Sequence, residues 1–157
     1  MKSCSGFAAK DTLEGGAGTD HISGGDGNDT IKVTTFTDFK TTGGIETVDG
    51  GAGTDTLSFA QNNTALSLTA PELAQLYSIE AITISTGNGG ASLTFGNETF
   101  TNLGASNITI TTDVGSGATT IDGAAVSNGA FTIIVDNTSN GNDVLTGKAG
   151  NDALTGG

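Results

Sequence analysis

The sequence has few of the residues that build a thick globular core or a disulfide scaffold. It has no Trp, one Tyr and one Pro, and hydrophobic residues fill only 34% of its 157 positions. The single cysteine, Cys4, excludes an internal disulfide. The absence of any run of 18 apolar residues excludes a membrane-spanning helix. We therefore expect a thin core of Leu, Ile, Val and Phe that repeats along an axis.

Basic residues are also scarce. Five Lys and Arg stand against 17 Asp and Glu, so the net charge is −12. This balance excludes nucleic acid as a partner, because its recognition depends on Lys and Arg, and it disfavours anionic membranes. Clustered carboxylates predict a cation as the partner instead. Hard oxygen donors select Ca²⁺ over the softer transition metals.

Glycine is abundant, with 26 residues, and it follows a nine-residue repeat. Each full copy has Asp sixth and Ile or Leu eighth, and degenerate copies cover residues 11–13 and 141–146. The full or nearly full copies are residues 15–23, 24–32, 50–58 and 147–155. Because the glycines are in register with apolar β-forming residues, a disordered Gly-rich linker is not expected.

This nine-residue motif resembles GGxGxDxUx, the repeat of RTX proteins, in which U is a large apolar residue. The resemblance covers residues 11–32, 50–58 and 141–157. It implies an all-β fold, a right-handed parallel β-roll or β-solenoid whose Gly-Asp turns bind several Ca²⁺ ions. It also implies type I secretion from a Gram-negative-type bacterium and folding outside the cell, where metal binding adds to the folding free energy.

The repeat has a direct physical interpretation as a calcium site. Glycines permit tight turns that direct carbonyl oxygens to one point, and Asp adds a charged oxygen. Two repeats make one coil, which places Asp11 beside Asp29. A wider coil aligns Asp29 with Asp55 and Asp20 with Glu46. Carboxylates stacked in this way repel one another unless a divalent ion lies between them.

The resulting prediction of metal ligands includes side chains and turn carbonyls. The predicted ligands are Asp11, Gly15, Ala17, Asp20, Gly24, Asp26, Asp29, Glu46, Gly50, Ala52, Asp55, Asn140, Asp143, Gly147, Ala149 and Asp152. Asp143 and Asp152 are expected on opposite sides of the coil. His21 and Cys4 each lack the neighbours that a zinc site or an activated nucleophile needs. No catalytic motif is present, so the chain is not expected to be an enzyme.

Residues 59–138 lack the motif but keep a spacing of about 25 residues between β-type runs. One series of apolar anchors is Ile31, Leu57, Ile82, Ile108 and Ile133, and a second is Phe95, Ile121 and Leu145. This spacing favours a solenoid with a wider coil, and an antiparallel sandwich is the alternative. Thr69 and Glu72 form a capping box, which predicts one short surface helix near residues 70–78.

The expected organisation is a single elongated module over residues 1–157. It comprises N-terminal repeats at 6–58, a wider-coil region at 59–138 and C-terminal repeats at 139–157. The leading functional hypothesis is a calcium-binding structural module of a secreted surface-layer protein or adhesin, with self-association in a lattice or a cell-surface polysaccharide as partner. The alternatives are a helper module of a secreted protease, lipase or alginate epimerase, and a carbohydrate- or ice-binding solenoid with a flat Thr-rich face.

Overall fold

The chain folds into a β-solenoid, in which each coil of the backbone stacks on the coil before it. The structure, a computed structural model, describes residues 2–39, 46–103, 107–113, 115–127, 130–135, 141–148 and 151–156. All pairings between the described strands are parallel. The parallel pairing confirms the predicted all-β solenoid and excludes the antiparallel sandwich for the described part of residues 59–138.

The described strands form three sheets. The N-terminal sheet joins β1 (Ser3–Ser5), β3 (His21–Asp26), β5 (Thr47–Ala52) and β8 (Leu76–Tyr77) in that order. The C-terminal sheet joins β7 (Leu66–Leu68), β10 (Ala91–Thr94), β12 (Thr119–Asp122) and β14 (Val144–Thr146). The long sheet joins β2 (Thr12–Leu13), β4 (Thr30–Val33), β6 (Thr56–Ala60), β9 (Ala81–Ser85), β11 (Asn107–Asp113), β13 (Ala130–Val135) and β15 (Ala153–Thr155). The long sheet therefore connects the N-terminal coils to the C-terminal ones.

The strand register confirms the predicted change of coil size at the N-terminal end. Leu13 pairs with Ile31 across a coil of two repeats, and Ile31 pairs with Leu57 across a wider coil. Leu57 then pairs with Ile82, as predicted. These three pairs place the repeat's eighth-position residue in one inward-facing row.

Two of the predicted anchors are wrong by two residues. Ile82 pairs with Ile110 rather than Ile108. In the C-terminal sheet, Leu93 rather than Phe95 pairs with Ile121. The alternation of side chains along a strand cannot distinguish between two residues that are two positions apart, because both point to the same face of the sheet. Loop length decides between them, and the coil that contains the longest described helix is longer than the coil before it.

Three short helices lie between strands in the described residues: α1 (Phe36–Phe39), α2 (Ala70–Leu73) and α3 (Asn97–Leu103). The sequence predicted only α2 and placed its end near residue 78. The Glu72 carboxylate accepts the Thr69 N–H at 2.7 Å, which confirms its part in the capping box. The helix ends early because Leu76 and Tyr77 pair with β5 as a strand. None of these helices has the length and apolar character that a membrane crossing requires.

The core is a narrow stack of mainly aliphatic side chains, one or two from each strand between β3 and β12, as the composition predicted. Ile82 and Ile84, for example, are buried on β9, while the residues between and beside them face outward. Phe59 is fully buried and packs edge-to-face on Phe36 and Phe39, with ring centroids 6.1 and 5.2 Å apart. These rings fill the wider coil near the place where α1 is inserted.

Candidate metal centre

Four acidic residues form a column that runs from coil to coil beside the long sheet. We call Asp11, Asp29, Asp55 and Glu80 the first acidic column. The Asp11 N–H donates to Asp29 Oδ1 at 2.8 Å, and the Asp29 N–H donates to Asp55 Oδ1 at 2.7 Å. The Asp55 N–H donates to Glu80 Oε2 at 2.7 Å. The carboxylates of Asp29, Asp55 and Glu80 are thus held by the backbone of the preceding coil, and these hydrogen bonds offset part of the repulsion between the stacked charges.

A second acidic column, Asp20 and Glu46, lies beside the N-terminal sheet. The Lys2 N–H donates to Asp20 Oδ1 at 2.8 Å, and the Thr47 N–H donates to the Asp20 carbonyl at 3.0 Å. Asp20 is 2% exposed and Glu46 is 3% exposed. The predicted alignments of Asp20 with Glu46, and of Asp29 with Asp55, are therefore present in the structure.

Three carboxylate oxygens in these columns are buried without a hydrogen-bond partner: Oδ2 of Asp20, Asp29 and Asp55. Asp29 is 1% exposed and Asp55 is fully buried. A buried carboxylate oxygen without a donor is unfavourable, because it loses its hydration and gains no replacement. Two of these oxygens, in Asp29 and Asp55, belong to successive coils of the first acidic column, and each lies beside the first glycine of its repeat.

Two glycines, Gly24 and Gly50, lie next to the unpartnered carboxylate oxygens of the first acidic column. A Cβ placed on Gly24 would lie 2.2 Å from the Gly50 carbonyl oxygen and 2.5 Å from Asp29 Oδ2. A Cβ on Gly50 would lie 2.0 Å from the Ser78 carbonyl oxygen and 2.7 Å from Asp55 Oδ2. Any larger residue at Gly24 or Gly50 would clash with both the carboxylate oxygen and the carbonyl oxygen of the next coil. Such a set of hard oxygen donors fits Ca²⁺.

The charge state of Asp55 reflects this environment. Burial raises the pKa of Asp55 above its ordinary value of 3.8, and the neighbouring charges of Asp29 and Asp49 raise it further. The hydrogen bond from the Asp29 N–H opposes this shift in the pKa. The carboxylate is therefore harder to ionise than usual, which a bound divalent cation would reverse.

The remaining N-terminal candidates lie around the turns. Gly15 borders the second acidic column, since a Cβ there would lie 3.0 Å from Glu46 Oε1. Ala17, Asp26 and Ala52 are exposed, and Asp26 pairs in register with Ala52. Their side chains are outside the two columns.

At the C-terminal end, Asp143 and Asp152 lie apart from the N-terminal columns. The Thr119 N–H donates to Asp143 Oδ1 at 2.8 Å, so Asp143 stacks on a threonine of the C-terminal sheet. The Lys148 N–H donates to Asp152 Oδ2 at 2.8 Å, and a Cβ on Gly147 would lie 2.5 Å from that oxygen. As predicted, the two acids occupy different sides of the coil. The candidates Asn140 and Ala149 lie outside the described residues.

Sequence reasoning missed three members of this arrangement. Asn28 Oδ1 accepts the Thr54 N–H at 3.0 Å and so links two successive turns. Glu80 extends the first acidic column, and Ser78 supplies the carbonyl next to Gly50. The spacing of Glu80 and Ile82 could have predicted the role of Glu80. An acidic residue two positions before an inward-facing isoleucine matches the sixth and eighth positions of the repeat.

The described residues contain no cluster of three or more His, Cys, Asp or Glu side chains of the kind that holds a metal. In the first acidic column, Asp29 and Asp55 each lie near a carbonyl oxygen of the next coil. Carboxylate and backbone carbonyl oxygens are ligands that Ca²⁺ accepts readily.

The comparison with protein families agrees with this donor chemistry. The family model of the RTX calcium-binding nonapeptide repeat (four copies) matches residues 5–38, 41–58 and 137–157, just under half of the chain. No curated protein and no solved structure gave a match. The matched segments contain every member of the two acidic columns except Glu80: Asp11, Asp20, Asp29, Glu46 and Asp55. These three segments are similar to the RTX calcium-binding nonapeptide repeat, and the match agrees with a calcium-binding repeat module.

Proposed function

We propose that this chain is a calcium-dependent structural module of a secreted surface protein, such as a surface-layer protein or an adhesin. The observation that carries the proposal is the pair of acidic columns with three buried, unpartnered carboxylate oxygens. In this proposal the side chains of Asp11, Asp20, Asp29, Glu46, Asp55, Asp143 and Asp152 bind Ca²⁺. Carbonyl groups of the glycine-rich turns complete the coordination, among them those of Gly24 and Gly50.

Calcium binding and folding are coupled in this arrangement. The columns exist only when successive coils are stacked, so the unfolded chain has no preformed site. A site whose free calcium is 100-fold above its dissociation constant adds about 2.7 kcal/mol to the stability of the folded state. Low calcium inside a cell would leave the repeats unfolded, and higher calcium outside would fold them. RTX repeats are typical of extracellular secreted proteins, which agrees with this order of events.

A structural role is favoured over a catalytic one by the type of fold. An RTX repeat solenoid is a structural calcium-binding scaffold and is not typically catalytic. The buried acidic groups are distributed along two columns, and those of the first column are bound to the backbone of a neighbouring coil. A helper module attached to a secreted enzyme would use the same chemistry, and the complete reading frame would distinguish these two contexts.

The proposal is tested by titrating calcium into the chain and following β-structure by far-ultraviolet circular dichroism. The double variant Asp29→Asn and Asp55→Asn keeps the Oδ1 acceptors and removes the two charges. The control variant Asp113→Asn and Asp122→Asn removes two charges outside both columns. We expect calcium to increase the β signal of the wild type and the control, with a weaker response in the column variant. Identical spectra in chelator and in millimolar calcium would refute the proposal.

A second candidate function is binding of carbohydrate or ice by the outer face of the long sheet. Thr56, Ala81, Thr109 and Thr132 form one in-register row of this face, and Ser58, Thr83 and Thr111 form the next. Parallel strands place such residues about 4.8 Å apart, which gives a flat, regular array of methyl and hydroxyl groups.

This candidate predicts that Thr83→Lys together with Thr109→Lys abolishes binding to a polysaccharide or to ice and leaves the calcium response unchanged. Failure of the wild-type chain to bind either ligand would eliminate it. Self-association into sheets, followed by light scattering with and without calcium, would instead favour a surface lattice.

A further inference from the structure

The turn that precedes β9 is shorter than the repeat turns before it. Asp49 pairs with Tyr77, and Thr56 pairs with Ala81. Six residues therefore lie between Asp49 and Thr56. Only three, Ser78–Glu80, lie between their partners in the next coil. This turn lacks the glycine pattern of the repeat, and it lies beyond the matched segment that ends at residue 58.

Glu80 nevertheless takes the place that Asp occupies in the repeats. Its Oε2 accepts the Asp55 N–H at 2.7 Å, as Asp55 Oδ1 accepts the Asp29 N–H at 2.7 Å. The additional methylene of glutamate lets the carboxylate span the gap that the shortened turn leaves. The second acidic column also ends on a glutamate, Glu46.

Ser78 takes the place of the first glycine of the repeat. Its φ of 51° is in the left-handed region, whereas Gly24 and Gly50 do not have a positive φ, so the match rests on the position of the carbonyl group. Its carbonyl oxygen lies 2.0 Å from the position of a Cβ on Gly50, and the Gly50 carbonyl lies 2.2 Å from that on Gly24. The backbone thus directs a carbonyl oxygen to the same point as in the preceding coil.

A carboxylate oxygen without a hydrogen-bond partner, Asp55 Oδ2, lies near the same position as the Ser78 carbonyl oxygen. Asp55 Oδ2 has no hydrogen-bond partner in a residue that is fully buried, and it lies 2.7 Å from the same Cβ position on Gly50. We propose that Asp55 binds calcium together with the Ser78 carbonyl and Glu80, two residues outside the repeat motif, and that this site closes the first acidic column. This inference rests on the proposed calcium binding. The next residue along the column is Ile108, which is fully buried and supplies no oxygen from its side chain.

Terbium luminescence gives a local test, because the chain has no Trp and its one tyrosine, Tyr77, directly precedes Ser78. Terbium replaces calcium in oxygen-rich sites, and energy transfer from tyrosine falls steeply with distance. We expect strong tyrosine-sensitised emission from the wild type and its loss in Tyr77→Phe. Glu80→Gln keeps the oxygen that accepts the Asp55 N–H but removes the charge, so emission should fall several-fold. Glu72→Gln in the capping box is the matched control and should retain emission.

The number of bound calcium ions, measured by equilibrium dialysis and elemental analysis, gives the second readout. Glu80→Gln should bind one ion fewer than the wild type and the Glu72→Gln control. Ser78→Gly keeps the carbonyl and tolerates the left-handed φ, so it should keep the wild-type count. An unchanged count and unchanged emission in Glu80→Gln would overturn this site and leave the repeat sites intact. A wild type that binds no calcium would refute the proposed function itself.

Discussion

Replacing Asp55 with Asn should change stability in opposite directions with and without calcium. Asp55 is fully buried, and its Oδ2 has no hydrogen-bond partner. An unsatisfied buried polar group costs about 1–3 kcal/mol, more for charged groups. Asparagine keeps the acceptor for the Asp29 N–H and removes the negative charge. Its new amide donor lies near the Ser78 carbonyl, so we expect the calcium-free fold to gain about 1 kcal/mol, the typical net value of one hydrogen bond.

With calcium in excess the sign reverses, because the variant lacks a charged ligand. Loss of one site at 100-fold saturation removes about 2.7 kcal/mol. Urea unfolding in chelator and in calcium, followed by far-ultraviolet circular dichroism, measures both values. Asp113→Asn, at an exposed aspartate, is the control and should change neither. If Asp55→Asn lowers stability equally in both buffers, the carboxylate has a structural role only and the reasoning is refuted.

Three further predictions follow from the same structure. Gly24→Ala places a Cβ 2.2 Å from the Gly50 carbonyl oxygen and should cost about 2–3 kcal/mol in urea unfolding, whereas Gly156→Ala, with open space around it, should cost little. Phe59→Ala should cost about 3–5 kcal/mol to the same extent with and without calcium, because it empties the apolar core and spares both columns. The raised pKa of Asp55 makes the calcium-free fold bind protons more tightly than the unfolded chain does. The stability of the calcium-free fold should therefore rise as the pH falls through that raised pKa toward 3.8. The affinity for calcium should fall over the same pH range, and calorimetry would measure both changes.

The acidic columns could be predicted at their N-terminal end because the motif carries its own register. Identical turns stack on identical turns, so the spacing of Asp11, Asp29 and Asp55 predicted a narrow coil followed by a wider one, as the pairing confirms. The orphaned oxygens and the backbone hydrogen bonds of the columns could not be predicted. They depend on the angle at which each carboxylate meets the next coil.

Prediction failed where loop length, rather than periodicity, sets the structure. Ile108 and Ile110 face the same side of one strand, and only the length of the connection that contains α3 selects Ile110 as the partner of Ile82. Leu76 and Tyr77 carry a helical spacing from α2, but pairing with β5 overrides it. Glu80 was missed because its turn has lost the glycines that identify the repeat.

The most direct test of the account is anomalous diffraction from crystals grown in calcium, recorded at a wavelength at which calcium scatters measurably. We predict peaks in both acidic columns, with an ion about 2.3–2.6 Å from Asp29 Oδ2 and from Asp55 Oδ2. Ordered aspartates in these positions without any anomalous peak beside them would contradict the account.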